Sequence, residues 1–85
     1  MAEEFHEIIK SRFNPDFTID AVFDDGQARH YNAVPYLKDH HYDEVLSFEL
    51  FSHPMHPKGF GICWTENSDI DSDWIYYDGV PIAPF

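Results

Sequence analysis

His53 and His56 stand three residues apart, with His40 and His41 nearby in the chain. Three or four imidazoles converging in space would make a transition-metal site, with Zn or Ni the natural occupant. Pro54 and Pro57 break the helix that would align the pair, so the spacing reads first as a polar loop and no metal site is expected. Asp69, Asp71 and Asp73 copy the D-x-D-x-D opening of a calcium loop. Such a loop needs Gly at its sixth position and Glu at its twelfth, where this chain offers Trp74 and Val80. The simpler expectation is a turn whose Asp side chains accept from backbone amides while Ile70 packs inward. Cys63 lies between Ile62 and Trp64, which predicts a buried, unreactive thiol. The chain has no G-x-S-x-G elbow, Walker loop or G-x-G-x-x-G, and Gly59 and Gly61 follow a Pro-Lys loop rather than opening a helix. No catalytic residue is assigned, and no cofactor is expected.

What remains is recognition chemistry. Trp64, Trp74, Tyr76 and Tyr77 would line a pocket or a protein-binding face, since Trp and Tyr are enriched where partners bind tightly. Reading residues 74–77 as alternating puts Trp74 and Tyr76 on one side and Ile75 and Tyr77 on the other. One of those pairs is then the more exposed. The candidate partner-binding set is Trp74, Tyr76 and Tyr77 together with Asp69, Asp71 and Asp73.

These residues must be positioned by short elements. Phe17–Phe23 alternates apolar and other side chains and then meets Asp24-Asp25-Gly26, a strand entering a hairpin whose return is Gln27–Ala33. A two-residue Asp25-Gly26 loop would turn Tyr31 to the face opposite Ile19. A three-residue loop closing in a glycine bulge sets Tyr31 beside Ile19 and Ala33 beside Phe17, and is preferred because it keeps the aromatic on the apolar side. Phe5, Ile8, Ile9 and Phe13 fall at helical spacing, although residues 9–13 would equally make a short strand. Pro35 suits the first turn of a short helix through Tyr36 and Leu37. Tyr42, Val45 and Leu46 are spaced as one face of another, with Phe48, Leu50 and Phe51 extending the apolar content. Residues 53–57 form a loop, Gly59–Trp64 reads as a buried strand, and Asp78-Gly79 makes the last turn.

Sixteen Asp and Glu against five Lys and Arg give a formal charge of −11 on 85 residues. That charge repels the phosphate backbone, so nucleic-acid binding is not expected, and it suits a basic protein partner. The length allows one domain, residues 1–85, which buries only about 60 to 65% of its unfolded surface. Eight Phe, five Tyr and two Trp compensate for so thin a core. A lone cysteine forms no internal disulfide, the N-terminus lacks the basic start and apolar run of a signal peptide, and no apolar run approaches the roughly 20 residues of a membrane helix. The chain therefore reads as cytoplasmic, with no membrane partner. In the tail, Val80, Ile82 and Phe85 are held extended by Pro81 and Pro84. They must either pack on their own domain or reach a second copy, and a homodimer that strengthens with salt is the expectation.

Four pieces in order resemble the small bacterial proteins catalogued as domain of unknown function 2442. They are Asp16-Phe17 leading into Phe23-Asp-Asp-Gly26; Tyr31-Asn32 followed by Pro35-Tyr-Leu37; Phe51; and Gly61-Ile-Cys-Trp64 followed by Ile70-Asp71 and Tyr76 to Gly79. The likeness spans about residues 9 to 79. It implies a compact α+β domain, a small antiparallel sheet built on a β-hairpin with one or two short helices, and it favours strand over helix for residues 9–13. Asn32 stands where the family usually has Asp. The resemblance brings no established activity, and toxin–antitoxin-like neighbours of some members suggest partner binding by analogy alone. The expectation is a non-enzymatic protein-binding or regulatory module. The alternative is a small metal protein or enzyme built on the His53/His56 loop.

Overall fold

The computed structural model describes residues 6–85. Its main sheet is antiparallel, in the order β1 (Ile8–Phe13), β2 (Thr18–Phe23), β3 (Ala28–Asn32) and β6 (Val80–Ile82), while β4 (Gly61–Thr65) and β5 (Ser68–Asp71) form a separate two-stranded ribbon. Three short helices, α1 (Val34–Asp39), α2 (Phe48–Phe51) and α3 (Ser72–Asp78), and a 3₁₀ turn at Asp43–Leu46 complete a mixed α+β architecture. The helices outnumber the one or two expected. Seven residues or fewer hold at most two turns, too little for a helical period to show in the sequence.

The Asp24-Asp25-Gly26 loop fixes the sheet's register. Ile19 lies opposite Tyr31 and Thr18 opposite Asn32, the three-residue-loop register. Gly26 takes φ +86°, its N–H donates to Phe23 O at 2.9 Å, and Phe23 N–H donates to Gln27 O at 2.8 Å. The alternation then carries Ile19, Ala21, Phe23 and Tyr31 to one face, where they join Leu37, Val45, Phe51, Trp64 and Ile75 in the core. The indole of Trp64 is buried and donates to Phe51 O at 3.0 Å, so the wide ring brings no unpaired donor inside.

Residues 8–13 are a strand. An irregularity in pairing between Ile8 and Lys10 leaves Ile8 buried and turns Ile9 out, the usual effect of an extra residue in one strand. Phe5, read on the same apolar spacing, lies outside the described residues. Phe17 sits at φ +65°, an uncommon place for a large side chain, and its ring is held 5.1 Å from Phe51 and 6.2 Å from Phe48. Gly59–Trp64 is not wholly buried as expected. In a two-stranded ribbon only one face meets the core, so Ile62 and Trp64 point in while Gly61, Cys63 and Thr65 stay half-buried. The Cys63 thiol, expected in the core, donates instead to Thr65 O at 3.0 Å.

Both outer edges of the sheet are blunted. Ile8 exchanges backbone hydrogen bonds with Gly59 at 2.7 and 2.9 Å, and Ser11 Oγ donates to Pro57 O. At the other edge Pro81 lies opposite Arg29 in the middle of β6 and has no N–H to offer. Beyond β6 the tail packs on its own sheet: the Phe85 ring lies 4.1 Å from the Arg12 guanidinium carbon, and Lys10 Nζ donates to Phe85 O at 3.0 Å.

Candidate partner-binding face

Asp69–Tyr77 is not one alternating run. It is a strand to Asp71 and a helix from Ser72, and the change of period re-sorts the aromatics. In the helix Ser72 and Ile75 are buried, Trp74 and Tyr77 share the outer face three residues apart, and Tyr76 turns to the side. The expected pairing of Trp74 with Tyr76 is thus replaced by Trp74 with Tyr77. Trp74 is 46% and Tyr77 68% exposed. They line a shallow depression of about 310 Å³ with Asp71, Asp73 and Asp78.

Neighbouring elements brace this face. The Tyr36 ring meets Trp74 edge-on at 5.2 Å and stacks on His40 at 4.0 Å, while its hydroxyl donates to Asp69 O at 3.0 Å. Burial, reinforced by Tyr42, Asp69 and Asp71, pushes the Tyr36 phenol up to about 12. Burial does the same for Tyr31 beneath, with the adjacent Trp74 opposing the change and Asp78 adding to it. Both phenols therefore stay neutral across physiological pH and leave the charge of the face to its carboxylates.

Those carboxylates divide into one that is used and three that are not. Asp73 Oδ1 accepts from His6 N–H and lies 3.1 Å from His6 Nδ1. Asp71 precedes α3 without a capping hydrogen bond from its side chain, so the expected turn of amide-accepting aspartates is not what forms, although Ile70 does pack inward. Asp69 and Asp78 are exposed. Asp78 sits in the last turn of α3, where the helix has no basic residue of its own and Arg29 of β3 donates to the Tyr76 carbonyl at 3.0 Å.

Tyr76 belongs to the scaffold rather than to the face. It stacks on His6 at 3.6 Å, meets Phe23 edge-on, carries the Arg29 guanidinium 4.3 Å from its ring, and donates to Asp25 Oδ2 at 2.7 Å. That hydrogen bond raises the Tyr76 phenol. For Asp25, burial acts upward, but the donors Gln27 N–H and Tyr76 O–H prevail and lower the carboxyl. Tyr76 thereby ties α3 to the hairpin turn.

The histidines do not gather. His53 Nδ1 lies within hydrogen-bond distance of Glu49 O and Ser52 Oγ, His56 pairs through its backbone with Cys63, and His40 rests on Tyr36. Among the described residues no three His, Cys, Asp or Glu side chains are grouped to hold a metal ion.

A polar cluster that the sequence reading passed over lies on the opposite face of the sheet. Asp20 is buried on the central strand β2; its Oδ2 accepts from Arg12 at 3.0 and 2.8 Å and from Asn14 at 3.2 Å, and its Oδ1 accepts from His30 Nδ1 at 2.5 Å. Burial raises the Asp20 carboxyl, but the donors His30, Arg12 and Asn14 outweigh it and leave it below its ordinary 3.8. The signal was present in the preferred hairpin register, which puts His30 directly opposite Asp20. Comparison of the chain with protein-family models, with curated proteins and with solved structures finds no match in any of the three.

Proposed function

We propose that this protein is a non-enzymatic module that binds a basic protein partner through the outer face of α3. The observation that carries the reading is the exposure of Trp74 and Tyr77, three residues apart, in a depression whose other lining residues are all aspartates. A thin-cored domain gains stability by burying its aromatics, so two left at the surface beside unneutralised carboxylates suit a contact made with another molecule. The field of a chain at −11 speeds the approach of a basic surface. A cytoplasmic setting is part of the proposal; among the described residues no helix is long and apolar enough to cross a membrane. A regulatory, toxin–antitoxin-like setting rests on the resemblance to the domain of unknown function 2442 proteins alone.

The test is capture of partners on the tagged protein, wild type against Trp74→Ser/Tyr77→Ser and against a control altered at the exposed Met55, which does not line the α3 depression. A basic protein held by the wild type and the control and lost by the α3 variant supports the proposal. Retention by all three sinks it.

A further inference from the structure

Both arginines of the chain, Arg12 and Arg29, lie over aromatic rings. Arg12 sits 4.1 Å from the Phe85 centroid and Arg29 4.3 Å from that of Tyr76, and each also makes hydrogen bonds through its guanidinium. The same pairing of ring and acceptor is laid out on α3 with no cation in it. Trp74 and Tyr77 supply the rings, Asp71 and Asp78 the acceptors, one helical turn from Trp74 on either side, and no arginine of this chain remains to fill the place.

We infer that the α3 face is an arginine-reading site, taking the guanidinium of a partner segment against Trp74 and Tyr77 while Asp71 and Asp78 accept its N–H groups. This rests on the reading of α3 as the partner-binding face. A planar guanidinium stacks on an indole or phenol and still presents its edge donors to a carboxylate in two parallel bonds. A lysine ammonium is a compact, strongly hydrated point charge that meets one of those demands at a time. Charge alone would attract either cation. Rings flanked by carboxylates select the flat one. Asp78 fits this assignment because its carboxylate is exposed and lines the same depression as the two rings. Asp73 is partly engaged with His6 and contributes field rather than hydrogen bonds.

The two tryptophans provide the readout within the intact chain. The Trp64 indole N–H is buried on Phe51 O and serves as an internal reference, while the Trp74 side chain lines the proposed site and its resonances report there. Their resonances, assigned with Trp74→Phe, are followed while the full chain is titrated with an otherwise uncharged Gly/Ser peptide carrying two arginines. A second titration uses the same peptide with two lysines. The expected result is movement of Trp74 and not Trp64, with the arginine peptide at least threefold tighter, and a loss of at least threefold in Asp78→Asn and in Tyr77→Ala. Neither of those side chains is buried, so their loss leaves the fold in place to be measured. Equal affinity for the two peptides overturns the arginine assignment but leaves α3 as a site for basic partners. A Trp74 resonance that no peptide moves overturns the assignment, and partner capture unaffected by Trp74→Ser/Tyr77→Ser overturns the underlying reading as well.

Discussion

At Gly26 the backbone holds φ +86° with nothing within 4 Å of where a Cβ would stand. Space is therefore not what requires glycine there; conformation is. Gly26→Val forces a β-branched residue into the left-handed region and is expected to lower stability by about 1 to 2 kcal/mol or more, read as a lower denaturant midpoint at unchanged slope. An unchanged midpoint would show that the turn does not set the register. This residue was legible in the sequence because Asp-Asp-Gly between two alternating runs leaves few loops to choose from, and keeping Tyr31 beside Ile19 decides among them. Phe17 was not legible in the same way. Its positive φ belongs to the turn between β1 and β2, where Phe17 N–H donates to Asn14 O and Asn14 N–H to Thr18 O, but the turn favours glycine there, and the Phe17 ring rests on Phe48 and Phe51, about thirty residues further along.

Among the elements, three adjacent strands, β1, β2 and β3, are pinned by one carboxylate. Asp20 on β2 accepts from Arg12 on β1 and His30 on β3, so its loss is felt across the sheet rather than at a point. Asp20→Asn is expected to cost about 1.5 to 3 kcal/mol near neutral pH, as charge-assisted hydrogen bonds become neutral ones. Because the folded carboxyl ionises below its unfolded value near 3.9, the stability it lends is fully present above about pH 4. It is lost as pH falls through the lower folded value. Wild type should therefore lose stability more steeply than Asp20→Asn below pH 4, and parallel curves would sink this assignment. Strands β2 and β3 were readable because alternation over six or seven residues is distinctive. Helix α3 was not, since residues 74–77 cover little more than one turn and fit either period. That single ambiguity paired Trp74 with the wrong tyrosine and placed Tyr76 on a surface from which its bonds to Asp25, His6 and Arg29 remove it.

For the molecule as a whole, the tail supplies an edge strand, and Phe85 joins two of the five basic residues to it. A form ending at Gly79 should unfold at lower denaturant than the full chain. In sedimentation, the full chain at −11 should be monomeric at low salt, with association through exposed Val80 and Tyr77 appearing only as salt screens the repulsion. Equal stability of the two forms would leave the tail without a structural role. The short form would also uncover β3, and the difference points to what Pro81 does for a sheet of four strands. An alternating apolar hairpin such as residues 17–33 is the kind of segment from which fibrils grow when a neighbour's backbone finds a row of open amides. Pro81 interrupts that row at one margin, and Gly59 and Pro57 occupy the other. Concentrated, well-screened solutions of the intact chain should accordingly stay free of thioflavin-positive material for as long as β6 remains in place, and seeding should begin only when it is stripped away.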